Sequence, residues 1–537
     1  MRKAASREAV FRDACLAVPR GRKLLTNSSR IEISSMRYFV ALVAAFAFLL
    51  QSGIAPAQVG QFPFVLTHEE QVLGLVEGAV ASFRGIPYAA APVGALRWRA
   101  PQPPPESSSI RSAYEYGPAC LQPSMGSSRV SEDCLTLNIF RPFETEDPLP
   151  VMIWIHGGSL VTGTASDPLF DGSKLAQAGV IVITLNYRLG AFGWLAHPAL
   201  ADGAPIANYG MMDQIAALQW IHENVGAFGG DPNNVTLFGT SSGATSVALL
   251  MLCEQSRDLF QKAILESLPA REQVRAMEIA EAVGKQFLRA AGHDRNRTDP
   301  RAIDSEVVLA AEKMLLAKSS PEKSSPSFAP TADGILVKED IATGFGAGRE
   351  NRIPLIVGSN DDETVFDREP DLKEELGLAG ASIDELRGLY PEAARNPAEL
   401  AAKLYTDRVF TEPARFVARN HAATGAPTFR YRFSYVPEAQ RQGSDAGRGG
   451  ELQFIFGAEG VPGAGMFTHR DREVSNRLRA YWTNFAKTGD PNGPGLPHWE
   501  TNSNRDQLLL ISNAGISSSG DPWSERLDRL ERRSLKR

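Results

Sequence analysis

Short apolar runs and longer amphipathic segments alternate along most of the chain. The apolar runs are rich in branched residues and lie close to Gly or Pro, which is typical of buried parallel strands. They are VMIWIHGG (151–158), VIVITLNYRLG (180–190), VTLFG (235–239), KAILES (262–267), IPLIVGSN (353–360) and QLLLIS (507–512). Helical periodicity covers 213–224, 271–291, 398–421 and 474–487. The alternation predicts an α/β fold, with one large, mostly parallel sheet and helices on both faces.

The composition is that of a soluble globular protein. Of 537 residues, 43% are hydrophobic and 22% are charged, and the net charge is -6. Because no Lys/Arg-rich run interrupts the body of the chain, a nucleic-acid partner is not predicted, and we expect a small-molecule partner. Residues 58–537 are interpreted as one catalytic domain, and the Ser/Pro-rich stretch 318–330 as a surface loop within it.

The first 57 residues are predicted to be a leader. Arg37 precedes an apolar run over 38–50, and Ala55-Pro56-Ala57 supplies small residues before a cut at Gln58, the three parts of a signal peptide. The run is shorter than the roughly 20 residues of a membrane-spanning helix, although an uncleaved anchor is the alternative. Met36 begins this segment, so residues 1–35 are interpreted as the result of a start codon that was assigned too early. We therefore expect a secreted or periplasmic protein without a stable membrane span.

The cysteine pattern favours a disulfide over a metal site. Cysteines occur at 15, 120, 134 and 253. Cys120 and Cys134 would close a short loop and are the candidate pair, since export permits disulfides. Cys253 lies in an apolar run and is interpreted as a buried thiol. No Cys/His cluster has metal-ligand spacing, so no metal site is predicted.

The stretch FGTSSGATSV (238–247) places GxSxG directly between an apolar strand and a segment able to form a helix. The motif alone is weak, but this context is that of a nucleophile elbow, with Ser241 at the apex of a tight turn and the Ser242 amide aimed at an oxyanion. The turn HGGSL (156–160) predicts further backbone donors at Gly157, Gly158 and Ser159. His156 is interpreted as structural rather than as a base.

Long collinear segments resemble one known family, the type B carboxylesterases and cholinesterases of the α/β-hydrolase fold. They are FRGIPYAAAPVGALRW (83–98), SEDCLTLNIFRP (131–142), VMIWIHGG (151–158), NYRLGAFGWLAHPAL (186–200), NYGMMDQIAALQWIHENVGAFGGDPNNVTLFGTSSG (208–243) and YWTNFAKTGDPNGPGLPHW (481–499). The resemblance implies a serine hydrolase that acts on small-molecule esters through an acyl-enzyme without a cofactor.

The resemblance also assigns roles to individual residues. It places Glu363, in GSNDDETVF (358–366), as the acid that orients the catalytic base; without it, a solvated acidic turn would be the preferred interpretation. It implies that Ser267 lies near this acid, and that Cys120 and Cys134 form the family's early disulfide. Relatives usually carry a third glycine where this chain has Ser159, and glutamate and alanine where it has Thr240 and Ser242.

The family's catalytic histidine belongs in a segment His-Gly-x-Glu-Leu, and this chain reads Arg448-Gly449-Gly450-Glu451-Leu452. A guanidinium stays protonated and cannot accept the proton of a serine, so impaired turnover is predicted. The interpretation preferred here is an ion pair between Arg448 and Glu363. The alternative is that His469, which follows this segment most closely, is carried in by a mobile loop and replaces the missing base. Two further alternatives remain. The arginine is a sequencing or strain-level change, since His and Arg codons can differ by one nucleotide, or the chain is a catalytically silent binding protein on the same scaffold.

Overall fold

The computed structural model describes residues 62–123, 129–145, 148–201, 207–272, 274–293, 299–317, 328–364, 370–441, 450–462, 464–502 and 506–534. They belong to one compact unit, Gly60–Arg537. The predicted leader, most of the predicted loop at 318–330, and Arg448 lie outside the described residues, and their interpretation stays a prediction.

The strands of the described part are β1 (Phe64–Leu66), β2 (Gln71–Leu73), β3 (Leu75–Glu77), β4 (Val80–Pro87), β5 (Ile110–Ser112), β6 (Ala119–Cys120), β7 (Val130–Ser131), β8 (Thr136–Pro142), β9 (Leu149–Ile155), β10 (Ile181–Leu185), β11 (Gly230–Thr240), β12 (Lys262–Glu266), β13 (Arg275–Ala276), β14 (Thr331–Ala332), β15 (Leu355–Asn360), β16 (Thr428–Ser434), β17 (Gln507–Ser512) and β18 (Gly515–Gly520). The α-helices there are α1 (Ser173–Ala176), α2 (Gly190–Trp194), α3 (Tyr209–Asn224), α4 (Ser242–Leu252), α5 (Met277–Ala290), α6 (Ser305–Ala317), α7 (Ile341–Gly346), α8 (Leu372–Ala379), α9 (Ile383–Leu389), α10 (Pro397–Thr406), α11 (Glu412–Ala423), α12 (Gly450–Ile455), α13 (His469–Thr488) and α14 (Ser524–Ser534).

One 11-stranded mixed sheet organises the molecule, in the order β18-β17-β16-β15-β12-β11-β9-β10-β8-β4-β3. The strands from β17 to β10 in this order run parallel, and the outer strands β18, β8, β4 and β3 each pair antiparallel with a neighbour. All six predicted apolar strands lie in the parallel part. The predicted α/β fold with a large, mostly parallel sheet is therefore confirmed.

Burial on both faces explains why the central strands are continuously apolar. On β9, Ile153 and Ile155 pack into the core on one face, whereas Met152 and Trp154 pack into a second core on the other. A strand covered on both sides needs apolar residues at every position, because neither face meets water. Helices cover both faces, as the alternating pattern predicted.

The sequence interpretation missed one parallel strand, β16, because its sequence TFRYRFS carries two arginines. Both are buried in ion pairs. Arg430 contacts Asp506 and Asp521, and Arg432 contacts Asp361 and Asp407. All four carboxylates come from distant parts of the chain, so no local pattern could show that these cations would be compensated.

Two predicted helices have different boundaries from those expected. The segment predicted at 398–421 forms α10 and α11, joined by a π-helical turn at Asp407–Thr411. The segment predicted at 271–291 becomes helical only at Met277, because Arg275–Ala276 pairs as strand β13 with β14.

Cys120 and Cys134 form a disulfide, which confirms the predicted pair, and Cys253 is a buried free thiol. Among the described residues, no helix has both the length and the apolar content required to cross a bilayer.

Candidate active site

Ser241 lies at the point where strand β11 ends and helix α4 begins. Its backbone is strained, with φ 54° and ψ -120°, a conformation that a residue other than glycine adopts only where its surroundings enforce it. The Ser241 N–H donates to the carbonyl of Glu266 over 2.8 Å, which ties the turn to the end of strand β12. This is the strand–turn–helix geometry that the GxSxG motif predicts.

The two glycines of the motif allow this turn to approach strand β9 closely. A Cβ built on Gly239 would lie 2.6 Å from the carbonyl oxygen of Ile155, and one on Gly243 would lie 2.2 Å from the same atom. No side chain fits at such distances. The elbow therefore depends on glycine for close packing, in addition to conformational freedom.

The turn after strand β9 lies beside the elbow. A Cβ built on Gly157 would lie 3.4 Å from the Cβ of Ser241. The Gly157 carbonyl faces the Nδ1 of His156 at 2.9 Å, and the Gly158 carbonyl accepts from the amides of Val161 and Thr162, both at 3.0 Å. Because the N–H of a trans peptide points away from its C=O, the amides of Gly158 and Ser159 point away from these contacts.

These amides have the property that an oxyanion hole requires. Within the described ranges, the N–H groups of Gly158, Ser159 and Ser242 donate no hydrogen bond to a protein acceptor. Unspent donors held rigidly beside a nucleophile can stabilise a developing oxyanion without reorganisation. The structure thus brings together three of the predicted donors. The fourth, Gly157, is also the point of contact with the elbow, and its role as a donor stays a prediction.

Glu363 is fully buried, so the interpretation of 361–363 as a solvated turn is wrong for this residue. Its Oε1 accepts from the Ser267 hydroxyl at 2.6 Å and from the Asn360 amide at 2.7 Å. Its own N–H donates to the Thr406 hydroxyl at 3.0 Å. Glu363 is therefore held in one orientation from three elements, and Ser267 lies where the family resemblance implied.

Ion pairs support the same turn. Asp361 contacts Arg432 at 2.9 Å and Lys403 at 2.7 Å, and Arg432 also contacts Asp407 at 3.1 Å. Burial opposes the charge on Asp361, but these two cations hold its pKa below the ordinary range. Sequence reasoning missed this network, because its members are separated along the chain and Arg432 belongs to the missed strand β16.

A second group of buried carboxyls lies at the elbow. Glu266, whose carbonyl accepts the Ser241 amide, receives a hydrogen bond from the Trp482 indole at 2.8 Å. Burial, and then the charge of Glu451, raise the pKa of Glu266 well above its usual range. Glu451 itself accepts from the Tyr431 hydroxyl at 3.0 Å. Burial therefore favours the protonated form of Glu266, a feature that nothing in the sequence pattern indicated.

All eight histidines lie in the described ranges, and there none of them forms a hydrogen bond with Ser241 or Glu363. His156 is buried behind the turn, stacks on Tyr187, and has a pKa lowered to about 4 by burial. His421 uses both ring nitrogens, on Glu350 and on the carbonyl of Ile353. The side chain of His469 is 91% exposed, and its ring lies 4.0 Å from Glu473. His156 is therefore structural, as predicted.

Within the described ranges, no group of three or more His, Cys, Asp or Glu side chains is arranged to hold a metal ion. The chemistry that the site offers is a hydroxyl at a strained turn, backbone donors beside it and a buried oriented carboxylate. Such a set is suited to acyl transfer.

Comparison with known proteins agrees with this chemistry. The model of the carboxylesterase family matches residues 61–520. Para-nitrobenzyl esterase of Bacillus subtilis (strain 168) is 36% identical over 489 residues, which cover 87% of this chain and 98% of that protein. Fumonisin B1 esterase of Sphingopyxis macrogoltabida is 33% identical over 512 residues, covering 89% and 92%. A solved structure of a PNB esterase, also 36% identical, matches with a TM-score of 0.76 over 88% of this chain and 100% of that one. The chain therefore belongs to the carboxylesterase family, and it is a carboxylic ester hydrolase with the α/β-hydrolase fold.

Proposed function

We propose that this hydrolase cleaves small-molecule carboxylic esters through an acyl-enzyme on Ser241. The Ser241 hydroxyl attacks the ester carbonyl, the alcohol departs, and water then releases the acid. The amides of Gly158, Ser159 and Ser242 stabilise the oxyanion of each tetrahedral intermediate, where one donor is worth roughly 3 kcal/mol. The observation that carries this proposal is the strained backbone of Ser241 at the end of β11, beside a turn whose carbonyls are already held.

Turnover is slow in this proposal, because Arg448 occupies the place of the histidine base. Attack requires a group that takes the serine proton, and a guanidinium with a pKa above about 12 cannot do so. The positions of the eight histidines support this proposal, since none is recorded in hydrogen-bond contact with Ser241 in the described part. By analogy with other serine hydrolases, losing the base costs on the order of a millionfold in turnover.

Glu363 acts as the orienting acid and, in this chain, as the partner of Arg448. Its burial supports that pairing, because a carboxylate in such a position needs compensation by a cation or by a proton. The family match favours a hydrolase over the silent binding protein. Export follows from the predicted leader, and the Cys120–Cys134 disulfide supports it, since disulfides persist in oxidising compartments.

Hydrolysis of a short-chain aryl ester tests the proposal in three proteins: the unaltered chain, Arg448→His and Ser241→Ala. We expect slow hydrolysis by the first, an increase of about a thousandfold or more in the second, and none in the third. Arg477→His adds a histidine at an exposed position of helix α13 and is the matched control, expected to leave the rate unchanged. A rate typical of esterases in the unaltered chain, abolished by Ser241→Ala, would refute the role given to Arg448.

A further inference from the structure

The oxyanion turn contains three consecutive residues with left-handed backbone, and only the first of them is glycine. The φ angles are +109° at Gly158, +56° at Ser159 and +61° at Leu160. Side chains disfavour this region, so the surrounding structure must hold Ser159 and Leu160 in place. A glycine at position 159 would remove part of this strain, because glycine tolerates a positive φ.

Leu160 is held at both of its backbone groups. Its carbonyl accepts the N–H of Gly190 at 2.7 Å, and its N–H donates to the Oγ of Ser242 at 3.2 Å. Leu160 is buried, with 4% of its surface exposed. Without an acceptor its amide would be a buried, unsatisfied donor, a condition that native structures rarely tolerate.

Ser242 therefore contacts the oxyanion hole twice. Its backbone N–H is one of the donors of the hole, whereas its hydroxyl binds the residue that follows Ser159, the donor on the opposite side. An alanine at position 242 would have no acceptor for the Leu160 amide.

We infer that Ser242 is a positioning residue for ester hydrolysis. Its hydroxyl holds the strained turn, so that the amides of Gly158 and Ser159 stay directed at the oxyanion. Because Ser159 adds strain and the Ser242 hydroxyl supplies a hydrogen bond that holds the same turn, the two residues act as a pair. The inference rests on the proposed function of this turn as the oxyanion hole.

The test is a double-mutant cycle with Ser242→Ala, Ser159→Gly and both together, made in the unaltered chain and in Arg448→His. In aryl ester hydrolysis, Ser242→Ala is expected to lower kcat about tenfold and to leave KM within about twofold. With Gly at 159 the same change should lower kcat only about threefold, because the glycine removes part of the strain. The inference would be overturned if Ser242→Ala lowered kcat equally with Ser159 and with Gly at position 159, or if it left kcat unchanged.

Ser246→Ala is the matched control. Ser246 is an equally buried hydroxyl one turn further along helix α4; it contacts the Gln214 amide and the Ser242 carbonyl but not the turn. Ser246→Ala should lower the thermal midpoint of unfolding as Ser242→Ala does, but it should leave kcat unchanged. A similar loss of kcat in both variants would show a merely structural role for the Ser242 hydroxyl and refute the inference.

Hydrogen exchange at the Leu160 amide separates this inference from the proposed function, since it needs no turnover. Ser242→Ala should speed that exchange at least about tenfold, whereas Ser246→Ala should not. An unchanged exchange rate would contradict the contact itself. If exchange accelerates while Ser241→Ala retains activity, the proposed function fails and the contact stands.

Discussion

The two halves of the proposed active site depend on different kinds of interaction. The nucleophile half, comprising Ser241, Ser242 and the turn Gly157–Ser159, depends on backbone: strained φ angles, glycine contacts and amide donors. The acid half, comprising Glu363 with Ser267, Asn360 and Thr406, depends on side-chain hydrogen bonds and nearby ion pairs. Backbone geometry tolerates almost no added atom, whereas a hydrogen-bond network tolerates a changed atom at a graded cost.

The buried carboxyls behind the two halves also differ in charge. Beside the acid half, Arg432 and Lys403 keep Asp361 ionised. Behind the nucleophile half, burial raises the pKa of Glu266 well above its usual range, and it raises the pKa of Glu312 to about 7. Glu312 lies against Gly190, whose amide holds the carbonyl of Leu160. Burial acts on all three carboxyls, and the presence of a cation decides which of them stays charged.

The largest effect is expected from a methyl group in the nucleophile half. Gly243→Ala places a Cβ 2.2 Å from the Ile155 carbonyl oxygen and 2.8 Å from that of His156, so two backbone segments must separate. We expect a loss of about 4 kcal/mol or more in the free energy of unfolding, and little soluble protein. Gly226→Ala is the control, because a Cβ there meets nothing within 4 Å. Denaturant unfolding measures both, and equal stability in the two variants would contradict the close packing.

The ion pairs of the acid half should give the next largest effect. Asp361→Asn leaves Arg432 and Lys403 without one carboxylate, and we expect a loss of about 3 kcal/mol at pH 7. Since the pKa of Asp361 is lowered on folding, its contribution is present above the ordinary value of 3.8 and is lost as the pH falls below it. The variant should therefore show a flatter acid limb in unfolding experiments. Glu254→Gln, which breaks an exposed pair with Lys338, should alter that limb much less, because solvent screens the pair.

Glu312→Gln tests the opposite sign behind the nucleophile half. The pKa of Glu312 is raised on folding, so the folded protein retains a proton that the unfolded chain releases. The free energy of unfolding should then fall by up to about 3 kcal/mol as the pH rises from 4.5 to about 7. The glutamine cannot titrate and should remove that fall. A pH profile of stability that is identical in both proteins would show that Glu312 does not titrate in this range.

The smallest effect is expected from the hydrogen bonds of the acid. Ser267→Ala removes the 2.6 Å contact with Oε1 of Glu363 but leaves the Asn360 amide in place. In the Arg448→His protein we expect kcat to fall about tenfold, with KM nearly unchanged. Ser256→Ala removes an equally buried hydroxyl bound to the Leu250 carbonyl, and should not alter kcat. If Ser267→Ala lowered kcat more than any change in the nucleophile half, the comparison between the two halves would be reversed.

Much of the nucleophile half could be predicted, because its chemistry is local. A strand, GxSxG and a helix follow one another within 230–252, and only His156 separates strand β9 from Gly157-Gly158. The glycines, the strained serine and the donor amides are consequences of short-range steric rules. The central strands were predictable for a similar reason, since burial on both faces requires unbroken apolar runs.

The acid half required the tertiary structure. Nothing local distinguishes Glu363 from Asp361 and Asp362, and only the family resemblance selected it. The fold brings Ser267 and Thr406 to Glu363 from 96 and 43 residues away. It also buries Arg432 against Asp361 and Asp407, which is why a strand containing arginines was not recognised.

The sequence by itself determined the central apolar strands and the strand–turn–helix elbow, because these depend on steric preferences and apolar periodicity between near neighbours. Only the tertiary structure decided which carboxyls are charged and which hydroxyls hold the site together. The reason is physical: the energy of a buried polar group is set by partners and by exclusion of water, and both come from residues far apart in the chain.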